Sequence, residues 1–281
     1  MVCRRGGEDK LLNALAVKWS VNLLRIPREG IEVGDVFVAQ KRILSQWNRL
    51  SNLYKPTLVL PVPEKQGVVD LDKTESQLYA AAAGFEALQG FLLALGLPPL
   101  PLRAAIKAAR QTKVSLSFKV GGITRTALLP GEIKREMEHR KKGARWGTVD
   151  PKRKYLVAHA VWTATSLQIK LEGGSQAVGE LSTKLTGVAG ASGKVDATHN
   201  SSGTIKYDRR DVPIAFGVQV TPVHFEDGFP LLKDAPDLTS WQVLHAGHGT
   251  APAGEETNEQ YGLLIGAKDG SPFVTLRQSR A

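Results

Sequence analysis

Val212-Pro-Ile-Ala-Phe-Gly-Val-Gln-Val-Thr-Pro-Val-His-Phe225 decides how the rest of this chain is read. It is a β-rich run that closes a compact body, and the chain beyond it has a different character. From Asp234 to Ala267 there is no Lys or Arg. Inside that segment, His245 to Gln260 (HAGHGTAPAGEETNEQ) is rich in Gly, Ala, Pro, Glu and Thr and offers almost nothing to a core, so it reads as an exposed, cuttable connector. Beyond it, Tyr261–Ile265 and Pro272–Leu276 are apolar and partly β-branched, a composition that docks on the body. The chain divides into a body over 1–244, a connector over 245–260 bounded by Leu244, His245 and Gln260, and a tip over 261–281. The tip's apolar contacts are Leu263, Leu264, Ile265, Phe273, Val274 and Leu276. A docked tip on a cuttable tether is a removable restraint.

Working back toward the N-terminus, the body carries the charge. Lys and Arg exceed Asp and Glu by 10 overall, and 246–281 holds three basic and four acidic residues, so residues 1–245 carry +11. Such a balance favours anionic partners, nucleic acid or an anionic lipid surface. It is concentrated over 130–154, where Lys134, Arg135, Arg140, Lys141, Lys142, Arg145, Lys152, Arg153 and Lys154 surround Trp146. A solvated charged face accounts for this cluster as well as a lipid or nucleic-acid contact does. The 281 residues can bury a sizeable core, and no run of about 18 apolar residues offers a membrane-spanning helix. The first residues lead into no apolar h-region, so the expected compartment is the cytosol.

Periodicity predicts an α+β body with a mostly antiparallel sheet. Strands are expected at Val21–Ile26, Asp35–Ala39, Thr57–Val62, Val114–Val120, 154–171 and 193–207. Helices are expected at 10–19, 74–95 and Gln176–Leu185. The helix over 74–95 has a capping box at Thr74 and Gln77 and an apolar face of Leu78, Phe85, Leu88, Leu92 and Leu95, and it reads as core-packed.

Catalytic motifs fail one by one. Gly187-Val-Ala-Gly-Ala-Ser-Gly-Lys-Val195 has its first Gly one place too early for a phosphate-binding loop and Val where Ser or Thr should hold magnesium; a small-residue loop is expected there instead. Ser192 lacks the second Gly of a nucleophile elbow. Of six histidines only His245 and His248 are close in sequence, and they lie in the connector, so no metal site is expected. No catalytic residue, cofactor or enzymatic activity is expected. Cys3 is the lone cysteine; beside Arg4 and Arg5, thioester acylation would make it half of a two-part membrane signal, the alternative being an inert thiol.

Several of these stretches together resemble the bacterial gasdermins. Val212–Val220 with Phe225-Glu-Asp-Gly228 is similar to the segment closing their N-terminal module, and Leu24-Arg-Ile-Pro-Arg28 resembles their early strand-to-turn element. Cys3 matches their acylated cysteine, and the tip matches their small autoinhibitory peptide. The resemblance implies a twisted, mostly antiparallel sheet with surrounding helices and a short inhibitory tail. It further implies a pore-forming cell-death effector of antiphage defence: monomeric and cytoplasmic until a partner protease cuts it, palmitoylated on Cys3, then oligomeric in the inner membrane. Arg140, Lys141, Lys142 and Arg145 become the expected contacts to anionic lipid, and stretches near 55–115 and 154–206 the expected membrane hairpins, a route across lipid that needs no apolar helix. A nucleic-acid-binding or adaptor protein using 134–154 is the alternative reading. It needs neither Cys3 nor a detachable tail, and no aromatic platform accompanies the basic run, so no nucleic-acid partner is expected.

Overall fold

The structure, a computed structural model, describes residues 21–40, 43–67, 88–97, 114–147, 150, 153–190, 195–199, 203–209, 213–232 and 273–278. The expected helix over 10–19, the start of that over 74–95, Cys3 and the connector lie outside the described residues.

The Val212–Phe225 run becomes β11 (Ile214–Glu226), whose first eight residues are all buried: strands flank both edges, Ile214 and Phe216 pack into one apolar cluster, and Ala215, Val218 and Val220 pack into another. Antiparallel partners are β1 (Asn22–Arg28) on one side and β7 (Lys154–Ala164) on the other. The β11–β7 register slips twice, leaving Phe216 as the extra residue on one strand and His159 on the other. Gly217, on β11, faces the residue that leads into β1: a Cβ there would lie 2.8 Å from Val21 Cγ2, so only glycine permits the approach.

From β7 the sheet continues through β2 (Asp35–Gln40) to β3 (Ile43–Arg49), both antiparallel steps. The last described strand, β13 (Phe273–Gln278), lies between β3 and β1 and runs parallel to both. The order β11-β1-β13-β3-β2-β7 therefore returns to β11, and six strands close into a ring. Leu24, Phe37, Leu44, Leu156, Ala158, Val161, Ala215, Val218 and Val220 form one buried cluster from five of the staves. The sixth stave is β13. Outside the ring, β12 (Phe229–Leu232) pairs with β11, and β6 (Thr124–Ala127) joins β7 to β4 (Glu64–Gly67).

A second sheet has the order β5-β8-β10-β9, from β5 (Ser115–Gly121), β8 (Ser166–Glu172), β9 (Val195–His199) and β10 (Thr204–Arg209). Its inward face, Phe118, Val120, Leu167, Ile169, Leu171, Ile205 and Tyr207, packs with Leu88, Phe91, Leu92 and Leu95 around the helix α1 (88–94). Leu181 and Leu185 of the helix α3 (Ser175–Gly190) join the same cluster. Between β6 and β7 lies α2 (Pro130–His139), which opens on Pro130 and buries Ile133 and Met137. These two pack with Leu50, Leu53, Tyr54, Leu58, Trp146 and Tyr155. The fold is α+β, and every strand pairing among the described residues is antiparallel except the two made by β13.

Four expectations need correction. Thr57–Val62 is not a strand: Pro56, Pro61 and Pro63 remove donors from a ladder, and pairing begins only at Glu64. The 154–171 stretch is two strands in two different sheets, broken at Thr165, and 193–207 is a hairpin of β9 and β10. Finally, Gly187 to Gly190 is not loop but the last turn of α3, with a strand after it, the reverse of the strand-to-helix order a phosphate-binding loop requires.

Candidate functional site: the tail strand and the basic turn

Two features of the fold bear on function, and the first is the place of β13. Leu23 and Leu24 of β1 stand opposite Phe273 and Val274, while Ile43, Leu44, Ser45 and Gln46 of β3 stand opposite Thr275, Leu276, Arg277 and Gln278. Val274 and Leu276 thus occupy the register positions beside Leu24 and Leu44, both fully buried in the ring cluster. The two flanking strands are anchored independently of β13. The side-chain amide of Asn22 donates to the Val218 carbonyl at 3.3 Å, tying β1 to β11. On the other side Asp35, in β2, organises the β2–β3 hairpin: its Oδ2 accepts from Glu32 N–H at 2.8 Å and Gln46 Nε2 at 3.0 Å, and its Oδ1 lies 3.4 Å from Arg49 Nε. Burial raises the Asp35 carboxyl above its ordinary pKa, opposed by the Glu32 amide and the Arg49 guanidinium.

The second feature is the basic turn at the end of α2. Arg140 caps the helix, and Lys141–Gly143 form one tight turn. Backbone bonds fix that turn against the segment after β3: Lys55 N–H donates to Gly143 O at 2.8 Å and Arg145 N–H to Leu53 O at 2.7 Å, and Tyr54 and Ala144 form an isolated bridge. A Cβ at position 143 would collide with the Lys55 carbonyl oxygen, which explains the glycine. Beneath the turn, the Trp146 ring packs 5.7 Å from Trp47, 6.0 Å from Tyr155 and 5.6 Å from Phe225. Burial pushes the Tyr54 phenol up to about 12; Trp146 Nε1 is close enough to draw it slightly back, although neither polar atom has a well-aligned partner. Lys141 Nζ stands 4.8 Å above the Phe229 ring, while Lys142 and Arg145 are exposed. The turn presents cations on a rigid aromatic base.

Of the residues singled out in the sequence, Arg140, Lys141, Lys142 and Arg145 lie together on this turn, and Phe273, Val274 and Leu276 lie in β13. Leu263, Leu264, Ile265, Leu244, His245, Gln260 and Cys3 are outside the described residues. Two features had no clear signal in the chain. Asp35 resembles any strand-opening acid until the hairpin folds around it. The exposed Val59, Val62 and Leu129 were similarly hidden. Among the described residues, no group of three or more His, Cys, Asp or Glu is placed to hold a metal ion, and no helix is long and apolar enough to cross a membrane.

A closed ring completed by a tail strand, with an amphipathic second sheet beside it, defines a class before a family. The profile described as the Bacterial Gasdermin Family matches residues 24–229, and the chain belongs to that family. It is 25% identical over 228 residues to a gasdermin of Piscinibacter sakaiensis, an alignment covering 79% of this chain and 82% of that one. A bacterial gasdermin structure from Bradyrhizobium tropiciagri aligns over 98% of both chains, with a TM-score of 0.49 and 15% identity.

Proposed function

We propose that the chain is a pore-forming cell-death effector held inactive by its tail. The observation that carries this reading is the position of β13: an interior stave, paired on both edges, supplied from beyond the connector. Cutting between about Leu244 and Gln260 frees that stave from its tether, and the ring opens along β1 and β3. The absence of Lys and Arg from Asp234 to Ala267 favours a protease with a non-basic preference. Once open, the body meets anionic lipid through Arg140, Lys141, Lys142 and Arg145, with a palmitoyl chain on Cys3 adding about 0.8 kcal/mol per buried CH₂. It then leaves the cytoplasm for the inner membrane, where copies assemble into a pore as an abortive defence against phage. No catalytic step is required.

The second sheet supports the membrane part of this reading. On β8, Leu167, Ile169 and Leu171 are buried while Lys170 and Glu172 face outward, the two-faced pattern that a strand between lipid and a watery lumen needs. The decisive measurement is dye release from phosphatidylglycerol vesicles. Full-length protein carrying an inserted protease site in the connector is expected to release dye only after cutting. Phe273→Asp with Leu276→Asp is expected to release dye uncut. Silence from both would sink the pore-former reading.

A further inference from the structure

We infer that the channel between β1 and β3 is a peptide-binding site that accepts an extended segment supplied in trans, its ligand being a free peptide with apolar residues at alternate positions. This rests on the tail being the restraint, and adds that the restraint is reversible. A strand at a sheet edge binds one neighbour; β13 binds two in succession, Phe273 and Val274 pairing with β1 and Thr275 to Gln278 with β3, parallel in both cases. The walls of the channel are held without it, β1 by β11 and the Asn22 amide, β3 by β2 and the Asp35 hub. Removing one strand from between two leaves a gap of about 9–10 Å between them, one strand wide. Main-chain pairing supplies affinity there, and the positions beside Leu24 and Leu44 supply selectivity for apolar residues two apart.

The strength of this site is bounded from both sides. A tether of some 40 residues holds the tip at an effective concentration on the order of 1 mM, so the uncut chain stays closed only if the free tip binds with a Kd well below that. A cut opens the body by dilution alone only if the same Kd exceeds the concentration of freed tip, taken as about 1 μM. The Kd therefore falls between about 1 and 100 μM, a range in which added peptide can compete.

The test uses the full chain, with Cys3→Ser and a site-specific protease sequence in the connector, cut in solution without lipid. A fluorescent synthetic peptide of residues 269–281 is expected to exchange into the cut protein with a Kd in that range. Val274→Asp with Leu276→Asp in the peptide should weaken binding at least 30-fold. Excess unlabelled peptide should suppress vesicle leakage at least tenfold, and a Leu276→Cys peptide should form a disulfide with Leu44→Cys protein, reporting parallel register. No exchange up to 1 mM, or equal binding by the double-Asp peptide, overturns the site even if the cut protein forms pores. Conversely, exchange by a cut protein that never releases dye upholds the site and refutes the pore former.

Discussion

The two sheets of this protein are built from opposite sequence logics. In the ring, β7 has one exposed residue in 11, and β11 buries both faces along its first eight residues. In the second sheet, β8 alternates without a fault, buried at Leu167, Ile169 and Leu171 and open to water between them. A strand buried on two faces is committed to its neighbours, because any other environment exposes apolar surface at about 25 cal/mol per Å². An alternating strand keeps one greasy and one polar face wherever it goes. The small sheet also joins β5, which begins where the first expected membrane stretch ends, to β8, β9 and β10 of the second. The expected hairpin over 154–206 therefore divides physically at Thr165: β7 belongs to the committed ring, and β8, β9 and β10 belong to the second, two-faced sheet.

The largest effect should come from the same chemistry placed on the two sheets. Val218→Asp buries an unpaired carboxylate inside the ring, at a cost of about 3–5 kcal/mol or more, and should yield no cooperatively folding protein. Gln168→Asp on the outward face of β8 should leave the melting temperature within a few degrees. Comparable damage from both would erase the distinction.

Next is an acid weakness located in the ring. His159, the extra residue opposite the β11 ladder, has Nδ1 3.0 Å from Thr221 Oγ1 and lies near Arg125, whose Nε donates to Gln219 Oε1 at 3.1 Å. Burial first, and the Arg125 charge second, depress its pKa to about 4. Glu64, on β4, is the acid facing Arg125. Because the unfolded imidazole takes a proton near 6.5 and the folded one resists until about 4, the stabilisation is complete above 6.5 and disappears as pH falls to 4. The loss is on the order of 3 kcal/mol. Urea titrations at pH 7 and pH 4.5 should record it, and His159→Gln should flatten that part of the profile; an unchanged slope would assign the acid sensitivity elsewhere.

A smaller effect is expected at the basic turn. Each cation near an anionic membrane contributes about 1 kcal/mol, within a Debye length of about 8 Å. Arg140, Lys141, Lys142 and Arg145 replaced by Gln should weaken vesicle binding by the cut protein at least tenfold at low salt, with little change in stability. Full binding by that variant would return the turn to a solvated face. Smallest of all, the Lys206–Asp208 pair at 2.7 Å on the outward side of β10 is half-exposed, and Lys206→Ala should change stability by less than about 1 kcal/mol in thermal melts.

The sequence made the alternating parts easiest to read. Val114–Val120 and the Leu167–Leu171 pattern are visible because period two survives wherever one face meets water. The Val212–Phe225 run was legible as β but its centrality was not, since a strand buried on both faces looks like any apolar stretch. Strand β3 escaped notice because Ser45, Gln46 and Asn48 interrupt its apolar residues, and only its neighbours β2 and β13 make a strand of it. The basic turn was found as a charge cluster, whereas the backbone bonds that stiffen it join residues about 90 apart in the chain. The apolar, β-branched run of Phe273 to Leu276 was legible as a strand; that it enters the middle of a sheet, parallel to strands more than 200 positions away, is a matter of topology that local pattern does not encode.

That topology gives the protein a chronology. Leu23 precedes its partner Phe273 by 250 positions, so the ring cannot be completed until β13 has been made. About 40 residues separate the end of β12 from β13, and at 5–20 residues per second their synthesis takes roughly 2–8 s. Throughout that interval, β1 and β3 have been made and the stave that lies between them has not. Each molecule thus exists first as a five-stave body, and its ring is complete only once the sixth stave has been made.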